Sequence, residues 1–202
     1  MEKRYIIGID QSTQGTKALL FDGVGHLLRR TDLPHRQIVN EKGWVSHDLN
    51  EIYRNTVQTV KTLVAESGVA PETIAGIGIS NQRETTAIWD KATGEPLEEA
   101  IVWQCGRASG IAQEIAEQGH AEEIREATGL QLSAYFPAAK MAWLLRNGGE
   151  ERQKRAADGK LCLGTIDSWL VYKLTGDHAF KTDFSNASRT QLFNLKTLAW
   201  DE

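Results

Sequence analysis

Three short apolar, β-rich runs, separated by polar segments of only a few residues, occupy the first part of the chain. They cover residues 5–9, 17–21 and 25–33, and residues 22–25 (Asp-Gly-Val-Gly) form a turn signal before the third run. A crossover between parallel strands needs a dozen or more residues, so strands this close together pair antiparallel. The spacing therefore predicts a three-stranded antiparallel meander, which strongly restricts the folds open to the chain.

A helix and a buried strand are predicted to follow the meander. Asp48 with Glu51 three residues later fits a capping box, apolar residues then recur at helical spacing, and Gly68 is a typical helix terminator. Residues 74–80 (Ile-Ala-Gly-Ile-Gly-Ile-Ser) are apolar on both faces, which is typical of a strand in the middle of a sheet. Together these patterns predict an α/β domain with a mixed sheet flanked by helices.

The second half of the chain is predicted to be mostly helical. Residues 85–90 alternate in polarity, 91–96 form a polar turn, and 100–103 are a short apolar run. The pattern then predicts helices near residues 107–118, 120–128, 138–148, 150–157 and 166–175.

Composition excludes several classes of protein. Of the 202 residues, 41% are hydrophobic and 25% are charged, and the net charge is −4, so neither disorder nor a basic nucleic-acid or membrane surface is indicated. No apolar stretch approaches the ~18 residues of a membrane span, and Asp10 ends the first apolar run too early for a signal peptide. Cys105 and Cys162 form neither a disulfide framework nor a zinc site, and packing roles are expected. We expect a soluble cytoplasmic protein.

The turn after the first strand is a candidate phosphate site. Asp10 ends the strand and its carboxylate is suited to a Mg²⁺ ion, often through water. The following residues Ser12, Thr13 and Gly15 offer hydroxyls and accessible backbone N–H groups, and Lys17 adds a positive charge. Composition alone favours the alternative, an ordinary polar hairpin with a glycine at its tight position.

A second candidate site follows the predicted buried strand. Arg83 and Glu84 place donors beside acceptors at the carboxyl end of that strand, as a vicinal diol requires, although a surface salt bridge is an equally good interpretation. Trp103 and Tyr135 combine a flat apolar ring with an N–H or O–H donor. Taken singly, each aromatic residue is better explained as core.

Several segments in order resemble the FGGY carbohydrate kinases, and most closely their glycerol-kinase branch. The segments are Ile-Gly-Ile-Asp-Gln-Ser-Thr-Gln-Gly-Thr-Lys (7–17), Gly-Trp-Val-Ser-His-Asp (43–48), Ile-Ser-Asn-Gln-Arg-Glu-Thr-Thr (79–86), Ala-Ile-Val-Trp-Gln-Cys (100–105), Tyr-Phe-Pro-Ala-Ala-Lys-Met-Ala-Trp-Leu-Leu-Arg-Asn (135–147), Gly-Thr-Ile-Asp-Ser-Trp-Leu (164–170) and Asp-Phe-Ser-Asn-Ala-Ser-Arg-Thr (183–190). The resemblance runs from residue 5 to the last residue.

The resemblance implies a ribonuclease-H-like fold of the actin and hexokinase type. It also implies that residues 1–202 are the N-terminal substrate- and phosphate-binding domain of a kinase whose second domain is absent from this chain. The implied activity is transfer of the γ-phosphate of ATP, with Mg²⁺, to a hydroxyl of a small polyol or sugar. The full-length enzyme would be a cytoplasmic homo-oligomer, a dimer or tetramer, that binds neither nucleic acid nor membranes.

The resemblance also implies roles for individual residues. The polyol would be held by Arg83, Glu84, Trp103 and Tyr135. Asp10 would help to place Mg²⁺, and the nucleotide phosphates would face Thr13, Gln14, Gly15 and Lys17. No residue of this chain matches the aspartate that acts as general base in the family, which is expected beyond residue 202.

Two departures from the glycerol-kinase pattern weaken glycerol as the specific substrate. Gly106 precedes a single Arg107 where two basic residues are usual, and Gln14, Gly15 and Lys17 resemble other branches of the family.

Two alternatives to a polyol kinase also stay open. One is a nucleotide-binding module of the actin and chaperone-ATPase type without sugar kinase activity, and the other is an inactive fragment.

Overall fold

The computed structural model describes residues 4–201, and the chain divides into two compact units. The first unit comprises the residues up to Gln37 together with Asp48–Gln82, and the second comprises Ile38–His47 and the residues from Arg83 onward. Within residues 4–201, no helix combines the length and the apolar character needed to cross a membrane.

The first unit is built on a four-stranded mixed sheet. Its strands are β1 (Tyr5–Gln11), β2 (Gly15–Phe21), β3 (Leu27–Pro34) and β6 (Ile74–Asn81), in the order β3-β2-β1-β6. The pairs β1–β2 and β2–β3 are antiparallel, whereas β6 runs parallel to β1. The predicted meander is therefore confirmed, and the crossover between the parallel strands β1 and β6 contains the predicted helix.

That helix, α1 (Leu49–Ser67), packs on the sheet through its apolar face. Its residue Leu63 joins a buried cluster with Ile7, Ile9, Ala18 and Leu20 of the first two strands. Alternate positions of β1 and β2 point into this cluster, as period-2 strands require.

The N-terminal cap of α1 is only half of the predicted capping box. The Asp48 carboxylate accepts a hydrogen bond from the Asn50 N–H, as a cap should. The Glu51 carboxylate, however, accepts from the Arg36 N–H of the preceding segment instead of turning back to the cap residue. At the other end, Gly68 terminates the helix with φ +69°, a left-handed conformation that glycine adopts without strain.

Strand β6 departs from its predicted position in the middle of a sheet. Among the described strands it is the edge of the four-stranded sheet, and most of its residues are exposed, including Ile77 at 54%. Its apolar sequence on both faces was the basis of the prediction, which is wrong for the chain as described. The sequence pattern of a strand shows how apolar its two faces are, but not whether another strand pairs with it on each side.

The second unit carries a five-stranded sheet in the order β4-β5-β8-β7-β9. The strands are β4 (Ile38–Val39), β5 (Val45–His47), β7 (Thr86–Asp90), β8 (Ala100–Ile101) and β9 (Leu161–Thr165), all paired antiparallel. Further along lies a two-stranded ribbon of β10 (Phe193–Asn194) and β11 (Ala199–Trp200).

The helices of the second unit match the five predicted ones to within two residues at each end. They are α2 (Ser109–Glu117), α3 (Ala121–Thr128), α4 (Pro137–Asn147), α5 (Gly149–Ala157) and α6 (Ile166–Leu174), followed by a short α7 (Phe184–Ala187). A buried cluster that includes Ile88, Ile101, Val102 and Leu144 joins α4 to the sheet. This core fixes α4 relative to β7 and β8. The predicted polyol residues lie just before α4, just before β7 and just after β8.

Candidate functional site

The predicted phosphate turn lies in the first unit, at the hairpin between β1 and β2. Asp10 and Lys17 are cross-strand partners, and the Lys17 Nζ donates to the Asp10 carboxylate at 2.8 Å. The two side chains are 43% and 35% exposed, respectively, so water screens this ion pair and its contribution to stability is small. The carboxylate and ammonium are thus held at the surface, open to further ligands.

Hydrogen bonds within the turn fix its backbone. The Ser12 N–H and hydroxyl both donate to the Gly15 carbonyl, at 2.9 and 3.0 Å. The Gln14 carbonyl accepts from the His35 N–H at 3.2 Å, while the Gln14 side chain is exposed and Thr13 is half-buried. These bonds hold the turn that carries Thr13, Gln14, Gly15 and Lys17, and the contact of these residues with phosphate stays a prediction.

Gly15 has a packing role, in keeping with the alternative of a hairpin with a glycine at its tight position. A Cβ atom at this position would lie 2.6 Å from the Leu33 carbonyl oxygen and 3.0 Å from the Pro34 Cα of the adjoining strand β3. No side chain fits in that space, so glycine is required by the close approach of β3, whether or not a phosphate binds.

Two buried glutamines, Gln11 and Gln82, are hydrogen-bonded to each other next to the turn. The Gln82 N–H donates to the Gln11 carbonyl at 2.7 Å, and the Gln82 side-chain amide donates to the Gln11 side-chain oxygen at 3.3 Å. These contacts tie the end of β1 to the end of β6. Both residues lie in the segments that carry the family resemblance, 7–17 and 79–86, but neither was assigned a role in binding.

The donor set around Asp10 suits a magnesium ion that arrives with a nucleotide. Residues 4–201 contain no cluster of three or more His, Cys, Asp or Glu side chains able to hold a metal ion. Mg²⁺ in phosphoryl-transfer sites is usually held by one or two carboxylates with water and substrate phosphates, so a single surface carboxylate fits that arrangement. Asp10 would be its protein ligand here.

Glu84, in the second unit, is the most constrained of the predicted polyol residues. Its backbone has φ +64°, a left-handed conformation that is strained for a residue other than glycine. Its side chain is buried, and the carboxylate accepts from the Arg189 Nε at 2.6 Å. The Arg189 guanidinium in turn lies over the Phe136 ring, 4.9 Å from its centroid.

Arg83 does not pair with its neighbour Glu84. Its side chain is exposed, and the guanidinium forms no ion pair or hydrogen bond with any residue that the structure describes. The salt bridge considered from the sequence is therefore absent between Arg83 and Glu84, because Arg189 takes that place. Arg83 keeps five N–H donors for a ligand.

Trp103 and Tyr135 lie side by side. Their ring centroids are 5.6 Å apart with an interplanar angle of 58°, and the Tyr135 ring also makes an edge contact with Phe136. Trp103 is half-buried and Tyr135 is exposed. The Trp103 N–H donates to the Thr85 hydroxyl at 3.2 Å, which places Trp103 beside the residue that follows Glu84. Trp103 thus contacts Tyr135 directly and is hydrogen-bonded to the chain neighbour of Glu84, which brings three of the four predicted polyol residues together.

Lys140 connects two of these residues from within the core. It lies on α4, is fully buried, and its Nζ donates to the Trp103 carbonyl at 3.2 Å and to the Tyr135 carbonyl. Burial lowers the pKa of Lys140 to about 7. The sequence offered one signal for such a residue, a lone charge inside the apolar stretch Ala-Ala-Lys-Met-Ala-Trp-Leu-Leu.

Arg107, the single basic residue of the unusual segment after Trp103, is structural. Its guanidinium lies over the rings of both Trp44 and Trp143, at 5.0 and 5.3 Å from their centroids, and donates to the Ser46 hydroxyl at 2.7 Å. The Arg107 Nε also donates to the Cys105 sulfur at 3.1 Å. Burial raises the pKa of the Cys105 thiol, but hydrogen bonds from Arg107 and the Val45 N–H, together with the charge of Arg107, outweigh this effect and the net pKa is lowered. Cys105 is therefore a hydrogen-bonded core residue rather than only a packing group.

A cavity of about 540 Å³ also lies in the second unit, away from the predicted residues. Its walls include Leu163, Phe180 and Trp200 together with the polar side chains of Lys181 and Thr182. None of Arg83, Glu84, Trp103 and Tyr135 lines it. This cavity and the predicted polyol residues therefore do not coincide.

Comparison with known proteins finds a family match over almost the whole chain. Residues 5–202 match the N-terminal domain of the FGGY family of carbohydrate kinases. Glycerol kinase 2 of Thermotoga maritima is 45% identical over 98% of this chain, and a glycerol kinase of Enterococcus casseliflavus is 48% identical over 100% of it. The chain spans about 40% of the length of both relatives.

Solved structures agree with the sequence matches. Plasmodium falciparum glycerol kinase, determined with ADP, has a TM-score of 0.87 and 37% identity, covering 100% of this chain and 40% of that one. A ligand-bound xylulose kinase from Lactobacillus acidophilus has a TM-score of 0.83 and 27% identity, covering 98% of this chain and 38% of that one. The expected α/β fold of the actin and hexokinase type is confirmed by these neighbours.

Proposed function

The chain belongs to the FGGY family of carbohydrate kinases, and we propose that it is the N-terminal, substrate- and phosphate-binding domain of an ATP-dependent polyol kinase. The acceptor is glycerol or a similar small polyol or sugar. Two relatives at 45% and 48% identity are both glycerol kinases, which supports glycerol. The general base belongs to the part of the relatives that this chain does not cover.

The single observation that carries the proposal is the arrangement around Glu84. A buried carboxylate in a strained backbone is held by Arg189, and the exposed guanidinium of Arg83 is its neighbour in the chain. Each hydroxyl of a polyol both donates and accepts a hydrogen bond, so a fixed acceptor with an available donor next to it in the chain suits two adjacent hydroxyls. Buried polar groups with fixed geometry reject a substrate that lacks the matching hydroxyl.

The aromatic pair completes this surface. The half-buried Trp103 and the exposed Tyr135 offer apolar faces for the C–H groups of a polyol, and each ring also carries a hydrogen-bond donor. Their proposed role is to orient the acceptor so that one terminal hydroxyl is presented for phosphoryl transfer. Positioning of this kind supplies much of the rate enhancement of phosphoryl transfer.

The hairpin of the first unit is the phosphate side of the proposed reaction. A Mg²⁺ ion bound with ATP neutralises charge on the phosphate oxygens. Asp10 would hold that ion, Lys17 would balance phosphate charge, and the turn at Thr13, Gln14 and Gly15 would present backbone N–H groups. The hydrogen bonds of Ser12 keep this turn in place without a ligand, so it needs little rearrangement on binding.

A coupled ADP-release assay on the full-length protein tests the function. With saturating ATP and Mg²⁺, glycerol, erythritol and xylulose are supplied in turn, and one of them should give ADP release that depends on the polyol. Mass spectrometry should find the phosphate on a hydroxyl of that polyol. Hydrolysis of ATP that does not respond to any polyol would refute the proposal and favour a nucleotide-binding module of the same fold.

A further inference from the structure

Two backbone segments, 32 positions apart, meet at one buried ammonium group. The Lys140 Nζ donates to the carbonyl of Trp103 at 3.2 Å and to the carbonyl of Tyr135, and it lies 6.0 Å from the Tyr135 ring centroid. These are the residues whose rings contact each other at 5.6 Å. The ammonium therefore holds the backbone of both members of the aromatic pair.

Lys140 is buried too deeply to be a catalytic residue itself. Its side chain is 0% exposed, and two of its three donors are used by carbonyl groups. A buried ammonium without partners would be strongly destabilising, so these hydrogen bonds are part of what allows the charge to be there. An apolar side chain of the same length would pack more easily, which makes a structural role alone a poor explanation for lysine at this position.

We propose that Lys140 is a positioning residue for the polyol site, in that its two hydrogen bonds fix the spacing of Trp103 and Tyr135 for the acceptor. This inference rests on the proposed function for the identity of the ligand. It predicts that losing the ammonium weakens polyol binding and leaves ATP binding unchanged.

The surroundings of Lys140 make its role depend on pH. Burial lowers its pKa to about 7, while Cys105 and Glu84 raise it and Arg107 lowers it. Arg189, bound to Glu84, adds a further charge to this network. As the pH rises through about 7, the ammonium becomes a neutral amine and its hydrogen bonds to the two carbonyls lose their charge-assisted strength. The KM for the polyol should therefore rise across this range.

The test compares Lys140→Met with the control Lys154→Met in the full-length protein. Methionine keeps an unbranched stem but has no donor, and Lys154 is an exposed lysine on α5. For Lys140→Met, the KM for glycerol should rise about tenfold or more with the KM for ATP unchanged. The control should match the wild type. The wild-type dependence of this KM on pH near 7 should disappear in Lys140→Met, and a KM equal to that of the control would overturn the proposal.

Two further measurements keep the proposal testable if Lys140→Met folds poorly or the acceptor is not a polyol. Lys140→Gln retains an amide donor and should give a KM between those of the wild type and Lys140→Met. Hydrogen exchange at residues 101–105 and 133–137 should be faster in both Lys140 variants than in Lys154→Met. Unchanged exchange would refute the anchoring role, whereas faster exchange in a protein without polyol kinase activity would refute only the proposed function.

Discussion

Glu84 shows how one residue can be unfavourable by itself and still be kept in place by its neighbours. A left-handed backbone at a residue other than glycine costs of order 1–3 kcal/mol. A buried carboxylate destabilises the folded state further unless it is paired with a positive charge. The Arg189 Nε, 2.6 Å away, supplies the pairing. The hydrogen-bonded ion pair with Arg189 therefore offsets the destabilising effect of the strained backbone and the buried charge of Glu84.

Arg189→Met is therefore expected to destabilise the protein by about 3 kcal/mol, because it leaves the Glu84 carboxylate buried without a partner. Urea unfolding followed by circular dichroism measures the change. The matched control is Arg146→Met, which removes an ion pair to Glu114 whose side chains are 54% and 44% exposed, and this pair should contribute less than about 1 kcal/mol. Equal losses in the two variants would contradict the account.

Asp167 gives a second prediction at the scale of single residues. Burial raises the pKa of this carboxyl, and hydrogen bonds from the Thr165 and Thr182 hydroxyls oppose the rise only in part. The folded state therefore keeps a proton that the unfolded state has lost, starting near pH 3.8. As the pH rises from there through the raised pKa, the free energy of unfolding should fall in the wild type relative to Asp167→Asn.

The measurement for Asp167 is the difference in unfolding free energy between the wild type and Asp167→Asn from pH 3.5 upward in small steps. Comparison with the variant cancels the contributions of other titrating groups. A difference that does not change with pH, or one that grows in favour of the wild type, would show that burial does not govern the Asp167 carboxyl.

At the scale of elements, the sequence predicted what depends on local pattern and missed what depends on neighbours. The antiparallel meander and the helices α2–α6 follow from strand spacing and helical periodicity, and the structure confirms them. The position of β6 and the partner of Glu51 depend on which chain segments lie alongside, which periodicity does not encode. The sequence suggested a tight position for Gly15, but that strand β3 creates it is evident only from the structure, and contact of Gly15 with phosphate stays a prediction.

Gly15→Ala tests that packing constraint. The new Cβ would lie 2.6 Å from the Leu33 carbonyl oxygen, so β3 must shift, and a loss of about 1–3 kcal/mol is expected. Gly76→Ala on β6 is the control, because its Cβ would meet nothing within 4 Å and its backbone has no positive φ. The urea midpoint should fall for Gly15→Ala and stay nearly constant for Gly76→Ala. A stable Gly15→Ala protein would mean that the close approach is not a constraint.

At the scale of the whole molecule, the candidate site is assembled from residues far apart in the sequence. Glu84 and Arg189 are 105 positions apart, and Lys140 reaches back 37 positions to Trp103. The sequence motifs located the residues proposed to touch ligand. The resembling segments 135–147 and 183–190 also contain the residues that hold them, Lys140 and Arg189, but the supporting role of these two residues became evident only from the contacts. A supporting role is defined by distance and burial, which a sequence motif does not state.

Residues 1–202 alone should show no kinase activity with any polyol, even at saturating ATP and Mg²⁺. A general base must come within ~2.6–3.2 Å of the hydroxyl that it deprotonates, directly or through one water, and the proposal places that base outside this chain. The coupled ADP-release assay, run beside the full-length protein as a positive control, measures this. Turnover that follows the 202-residue chain through purification would instead assign the base to a carboxylate within it, Glu84 or Asp10.

The central claim is that the exposed Arg83 and its neighbours bind the acceptor, and the KM for the polyol in Arg83→Ala tests it most directly. Hydrogen bonds from a charged group are worth about 1.5–3 kcal/mol, so in the full-length protein this KM should rise roughly tenfold to more than a hundredfold. Arg30→Ala, which removes another exposed arginine, should leave it unchanged, and the KM for ATP should change in neither variant. An unchanged KM for every polyol tried in Arg83→Ala would contradict the claim.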